Sequence, residues 1–366
     1  MSGKPGNVVI CGGGIIGCSI AYHLALRGVK STVVERCSIA CAASGRAGGF
    51  LARDWCDSYQ LGTLARRSFD MHAALGEEFK TTDYRRLDTL SVTINEKGRR
   101  KSLDTGSKIP DWVDGQVTGS KSMGTNKTTA QVHPYKLSHA MIEAAKKKVG
   151  TEVRKATITG IAKTSGDVKV TGVKLEGGET IPADVVVIAM GPWSGQASKW
   201  LGTPPVRGQK ASSIILKPES AVTPHALFLD YTHTNGKSES PEVYPRPDGT
   251  VYICGGADKQ NLPDDPSQVT VSEEYRDGLL HVAKTISTNL AEADLKSAQA
   301  CYLPTTSDGL PVIGAIPGVR GAYIASGHSC WGILNAPATG AAIADLIIEG
   351  TSHEIDISAF NPGRLM

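Results

Sequence analysis

Three glycines and one acid near the start of the chain have the types and spacing that chemistry would use: Gly12, Gly14 and Gly17 in CGGGIIGC, followed by Glu35. Glycines at such a turn let the backbone approach a pyrophosphate, and the N–H groups and dipole of a following helix favour its negative charge. An acid closing the next strand accepts hydrogen bonds from adenosine ribose hydroxyls. The elements that must hold these residues read in order. Residues 7–11 (NVVIC) predict a strand, CSIAYHLALRG predicts a helix ending at Gly28, and STVVE (31–35) predicts a second strand. The unit points to a dinucleotide; the alternative is a glycine turn in an unrelated α/β unit. Glycine pattern alone does not separate NAD from FAD.

The 366 residues carry 39 basic and 36 acidic side chains, the profile of an ordinary globular protein, and the length predicts two domains. A formal charge of +3 gives no electrostatic argument for nucleic acid or a membrane surface, so a small-molecule site is expected. No apolar run approaches the roughly 18 residues of a bilayer span; the longest reads around Ala183 to Met190. The start MSGKPGNVVICGGG enters a strand pattern at once, so no signal peptide is expected and the cytoplasm is the expected compartment. The ending Arg364-Leu365-Met366 keeps a peroxisomal address as the lesser alternative. Eight cysteines read as reduced thiols, and Cys37 and Cys41 lack a second Cys/His pair at zinc spacing, so no metal is expected.

Further along, residues 133–150 predict a helix with a glycine stop, and 151–164 and 167–191 predict strands, the last of them buried. Residues 61–132 are polar with helical pieces such as LARRSFDMHAALGEEF, and the basic stretch RRLDTLSVTINEKGRRK reads as a solvated hairpin edge. Residues 206–260 alternate like antiparallel strands and are followed by a helical run to about residue 290. The end returns to nucleotide-fold texture, with a DGLPVIG turn, the strand GAYIASG and the helix ATGAAIADLIIEG.

Taken together, VVICGGGIIGCSIAYHLALRG with Glu35, ACAASGRAGGF, VVVIAMGPWSG, PPVRGQK and the closing DGLPVIG…GHSCWGILNAPATGAAIADLI resemble the FAD-dependent oxidoreductases that include D-amino-acid oxidase, glycine oxidase and sarcosine oxidase. The resemblance covers essentially the whole chain, and its closing pair of motifs selects FAD over NAD. CAASGRAGGF and CYLPTTSDGLPVIG are most similar to a poorly characterised eukaryotic branch whose fungal members are connected with endosomal trafficking. The implied fold is α/β plus β: a discontinuous, Rossmann-like, glutathione-reductase-like FAD-binding domain (1–60, 133–203 and 301–366) and an antiparallel-sheet substrate domain (61–132 and 204–300). The implied flavin contacts are Gly12, Gly14, Ile15, Ile16, Gly17, Glu35, Arg36, Ser44, Gly45, Arg46, Gly48, Gly49, Ile158, Gly191, His328, Gly332, Ile333 and Leu334.

The implied chemistry moves the hydrogen on the carbon next to an amine to flavin N5, with oxygen or another acceptor reoxidising the flavin. Two departures qualify it. The arginine with which glycine oxidase clamps a substrate carboxylate falls at Leu303, and the oxygen-activating lysine of sarcosine oxidase falls at Ile253. Arg246 is the best-placed substitute cation, with Tyr244 sharing the wall, or it is a surface turn residue beside Pro247-Asp248-Gly249. Arg46 either sits beside the flavin ring or makes a phosphate or structural ion pair. Cys301 matches the register of a covalent flavin cysteine, or is a small buried hydrophobe with FAD held non-covalently. His328, Cys330 and Trp331 precede the last helix, where they either cover the flavin ring or pack as core. His23 reads as a satisfied core histidine. The sequence thus predicts an FAD-dependent oxidoreductase acting on a small amine or modified amino acid; the alternative is a flavin-binding protein with little turnover in a regulatory or trafficking role.

Overall fold

Val8–Cys11 lies between two parallel neighbours, Ser31–Glu35 and Val185–Ile188, at the centre of a six-stranded sheet. In the computed structural model, which describes residues 5–98, 109–166, 168–258 and 260–366, Glu152–Lys155 and Ala322–Ser326 extend the sheet in parallel and Val312–Ala315 closes one edge antiparallel. Strands from the start, middle and end of the chain therefore build one nucleotide-fold sheet. VVIC is wholly buried because both faces are covered. Val8 and Ile10 point into a core shared with the helices Ile15–Leu26 and Gly332–Glu349. Val9 and Cys11 point into a core shared with the small antiparallel sheet of Ile158–Lys163, Val170–Leu175 and Thr180–Pro182.

The final helix begins at Gly332 and carries Pro337 in its interior. Proline has no N–H, so the Ile333 carbonyl loses its ordinary helical donor. His72, from the helix Gly62–Glu78, supplies the missing partner: its Nε2 lies 2.9 Å from the Ile333 oxygen and 3.1 Å from that of Leu334. Ser68 Oγ accepts from the Ala338 N–H at 3.1 Å, and Ser19 Oγ donates to the Ala336 carbonyl at 2.8 Å. A Cβ on Gly340 would come within 2.2 Å of Ser19 Oγ, so only glycine permits this approach of the first and last helices. The last helix, with its preceding turn, is long and apolar enough by length and composition to cross a membrane, correcting the expectation that the longest apolar run lies near Ala183 to Met190; 67% of its apolar stretch is buried inside the fold. Interspersed Gly, Pro, Thr and Asn hid its length.

An eight-stranded sheet forms the second layer. Its order is Asp294–Thr305, Arg207–Lys217, Val251–Asp258, Glu242–Pro245, His225–Thr232, Asp88–Asn95 and Val117–Gly124, with Ser238–Glu239 paired to His225–Thr232. The ladders are antiparallel except between His225–Thr232 and Asp88–Asn95. The expected boundary at residue 301 falls inside the Asp294–Thr305 strand. One face packs under the helix Glu273–Ile286, and the other carries Tyr244 and Tyr252.

Three readings are corrected here. Asp88–Asn95 is an interior strand burying Leu90, Val92 and Ile94, not a solvated hairpin edge, because its parallel partner lies far along the chain; residues 99–101 of that stretch are outside the described residues. Cys37 and Cys41 are paired as a disulfide, so the eight cysteines are not all free thiols. His23 is buried, but its Nε2 has no partner, and burial lowers its pKa to about 3 with help from Arg27.

Candidate functional site

The glycine turn shapes the first part of the site. Gly12 has φ +111°, and a Cβ there would meet the Ala189 carbonyl oxygen at 2.4 Å. A Cβ on Gly17 would sit 2.0 Å from the Gly12 oxygen, so Gly17 lets the helix start directly against the strand. Gly14 offers no side-chain cap; Ser44 Oγ accepts from the Ile15 N–H at 2.9 Å, which leaves the Ile16 and Gly17 amides uncapped and without intrahelical acceptors. Glu35 braces the turn: Oε2 accepts from the Gly13 N–H at 2.7 Å and Oε1 from the Cys37 N–H at 3.0 Å. Each oxygen keeps a lone pair for a hydroxyl donor.

A cleft of about 770 Å³ opens beside this turn, lined by Gly12, Gly14, Glu35, Arg36, Ser44, Ile158 and Gly191 among others. Arg36 Nη1 donates to the Asp264 carbonyl at 2.6 Å and pairs with Asp265 at 3.4 Å, so a loop from the second layer closes over the cleft with Asp264 and Pro266 in its wall. An adjoining cleft of about 600 Å³ shares Gly14, Ser44 and Gly191 and adds Ile15, Ile16, His328, Gly332 and Ile333, together with Leu303 and Cys330. His328 Nε2 contacts Thr339 Oγ1 at 3.1 Å, its Nδ1 is buried without a partner, and burial lowers its pKa to about 3, so the ring is neutral.

These features fit an FAD: glycines without Cβ and uncapped amides for the pyrophosphate, Glu35 for the ribose, and in the second cleft an orphaned His328 nitrogen for the ring system. Gly332 opens the long final helix at that cleft, where its dipole favours negative charge.

Other residues singled out from sequence fall around the clefts. Gly45 packs under the Ala40 carbonyl, Gly48 under the rings of Tyr244 and Tyr252, and Gly49, with φ +80°, under the Val132 carbonyl. Leu334 is buried in the final helix, its carbonyl facing His72. Arg46 Nη1 donates to the Ala300 carbonyl at 2.6 Å and its own carbonyl accepts from Gln299, stitching the ACAASGRAGGF loop to the second sheet. Arg246 is 7% exposed, not a surface turn residue: Nη2 donates to the Ala47 carbonyl at 3.0 Å, and the guanidinium lies 5.0 Å from the Tyr252 ring centroid. Cys301 is buried outside the lining of either cleft, and burial pushes its thiol up to about 11, with Arg46 opposing. Ile253 faces the helix-covered core, away from Tyr252 and Cys254.

Sequence reasoning named Tyr244 and Trp331 but missed the Phe50, Trp55, Phe228 and Glu242 that surround them. Phe50 stacks on Tyr244 at 5.4 Å, Trp55 meets Phe50 at 5.2 Å and Phe228 at 4.9 Å, and Trp331 meets Trp55 edge-on at 6.4 Å. Among these rings the part-buried Glu242 accepts from Tyr244 Oη and from Cys254 Sγ. Burial pushes the Glu242 carboxyl up, and the two donors only partly offset this. The Glu242 charge also adds to burial in raising Cys330, which lines the second cleft. Alternation along EVYP, with Tyr244 already a candidate, was the available signal for Glu242.

The profile of the family described as "FAD dependent oxidoreductase" matches residues 7–346. The chain is 29% identical over 384 residues to the oxidoreductase C1F5.03c of Schizosaccharomyces pombe, covering 97% of each. It is 27% identical over 383 residues to glycine oxidase of Bacillus licheniformis, covering 99% of this chain and 98% of that one. The crystal structure of glycine oxidase from Geobacillus kaustophilus superposes with a TM-score of 0.83 over the whole of both chains at 23% identity.

Proposed function

The chain belongs to the FAD dependent oxidoreductase family, and from that premise we propose that it oxidises a C–N bond of a small amine or modified amino acid, with FAD held non-covalently. When bound, FAD supplies the two-electron acceptor that takes the hydrogen next to the nitrogen as hydride at N5. The substrate loses that hydride and one proton to become an imine, which water converts to a carbonyl compound with release of ammonia or an amine; oxygen or another acceptor takes the electrons.

The observation that carries the substrate class is the charge of the wall. Leu303 lines the second cleft where a carboxylate clamp is expected, whereas Glu242 offers a carboxylate among Phe50, Trp55, Tyr244 and Trp331. Aromatic faces and a carboxylate attract an ammonium group. A carboxyl raised by burial is suited to take the ammonium proton, since the neutral amine is the better hydride donor. Arg246 braces the far side of the wall, with Nη2 on the Ala47 carbonyl and its guanidinium over the Tyr252 ring. His328, neutral at physiological pH, holds the loop over the cleft through Thr339. The raised Cys301 thiol supports non-covalent binding, because a protonated thiol is a poor nucleophile. The cytoplasm is the proposed compartment.

Steady-state oxidation of matched amines and amino acids tests this. Amines without a carboxylate are expected to have the higher kcat/KM, and Glu242→Gln to lower it at least tenfold while flattening the acid limb of its pH profile. Preference for the amino acids with no effect of Glu242→Gln would overturn the assignment. A second reading, a flavin-binding regulatory or trafficking protein with little turnover, is favoured by Leu303 in the cleft and by Ile253 facing away from it.

A further inference from the structure

On the face of the eight-stranded sheet that carries Tyr231 and packs under the helix Glu273–Ile286, three side chains from separate parts of the chain converge. Glu96 follows the strand Asp88–Asn95, His233 follows His225–Thr232, and His281 lies on the helix. Their ligand atoms all lie within 4.8 Å of one another. Glu96 Oε1 is 2.7 Å from His281 Nε2 and 3.3 Å from His233 Nδ1, and the two imidazole rings are nearly parallel, 6.1 Å apart.

The surroundings of this group orient it as ligands are oriented. Tyr231 Oη donates to Glu96 Oε1 at 2.7 Å and the Thr234 N–H donates to Oε2 at 2.6 Å, fixing the carboxylate. On the other side, His233 Nε2 lies 2.9 Å from Glu239 Oε1. A carboxylate that accepts from one imidazole nitrogen sets the tautomer and leaves the other nitrogen as a lone pair, the arrangement that second-shell carboxylates impose on metal-bound histidines. Here that lone pair, on Nδ1, faces another carboxylate oxygen. Two acceptors that face each other are held by a proton or a metal cation between them. Glu96 side-chain exposure is 10% and that of His281 is 56%, so the group has a fixed inner wall and an outer side open to a fourth ligand such as water.

We propose that Glu96, His233 and His281 form a divalent metal site of the zinc class, with Glu239 as the positioning residue for His233. Two imidazoles and one carboxylate with an open position form a set that zinc accepts in tetrahedral geometry. No local sequence motif announces it, since Glu96 and His281 are 185 residues apart. The site ties the hairpin of the second sheet to its covering helix, on the face opposite the aromatic wall, so its expected role is structural. It stands independently of the substrate assignment.

The test is zinc binding to the chelator-stripped, flavin-loaded protein, by competition with a chromophoric chelator and by thermal denaturation. One zinc per chain is expected, with a raised Tm. His233→Gln and His281→Gln should each weaken binding at least tenfold, and Glu239→Gln about 10- to 100-fold. His139→Gln, at a half-buried histidine away from this group, should leave it unchanged. Absence of stoichiometric zinc, or equal affinity in wild type, His233→Gln and His281→Gln, would overturn the site and leave a hydrogen-bonded cluster of Glu96, His233, Glu239 and His281.

Discussion

Replacing Glu35 by glutamine isolates its contribution to cofactor binding. Its two oxygens are each held by a backbone N–H, from Gly13 at 2.7 Å and Cys37 at 3.0 Å. An amide has one acceptor oxygen, so whichever way it turns its NH₂ faces one of these donors. It must swing away, taking the ribose contact with it. Hydrogen bonds to charged groups contribute about 1.5–3 kcal/mol, so FAD affinity should fall about 10- to 150-fold. Flavin fluorescence quenching on deflavinated protein measures the Kd for FAD and, separately, for FMN. FMN lacks the adenosine, so its Kd should move by less than about threefold. Equal loss for both ligands would mean that the turn had collapsed, and unchanged FAD binding would remove Glu35 from the site.

Other consequences follow from the same geometry. His72→Leu leaves the Ile333 carbonyl unpaired inside the Pro337-interrupted helix and should destabilise the protein by about 1–3 kcal/mol in denaturant unfolding, whereas an unchanged midpoint would mean that the helix needs no external donor. Burial lowers His23, His72 and His328 to about 3, 4 and 3, below the 6.5 of the unfolded chain. The unfolded state therefore binds more protons below pH 6.5, and stability should fall as pH drops from 6.5 toward 4, by about 1.4 kcal/mol per pH unit for each histidine once below that range's upper edge. Flat stability across pH 6.5 to 5 would contradict this burial. Acid precipitation should release the flavin into the supernatant; flavin retained in the pellet, and lost from it in Cys301→Ser, would establish a thioether instead.

Legibility tracks sequence distance. The glycine turn, the strands Val8–Cys11 and Ser31–Glu35 and the helix between them are set by local pattern, and each is found within a few residues of its expected bounds. Arg246 could be nominated from its strand, but its burial against Ala47 and Tyr252 depends on contacts far along the chain. The same holds for the interior place of Asp88–Asn95, which comes from a parallel partner at His225–Thr232. The loop closed by Arg36 and Asp265 and the carboxylate of Glu242 among aromatic rings are products of layer packing, which no local periodicity encodes. The expected final helix starts after Pro337, and the donors Ser19 and His72 and the acceptor Ser68 explain why the helix begins at Gly332 and runs through the proline.

The central claim is that a small amine reduces a flavin bound in these two clefts, and anaerobic stopped-flow mixing of the purified holoprotein with a panel of amines tests it most directly. Bleaching of the visible flavin band in a single turnover, saturable in amine and slowed by Glu242→Gln, is the predicted result. A flavin that stays oxidised with every primary and secondary amine offered would contradict the claim and favour the low-turnover reading.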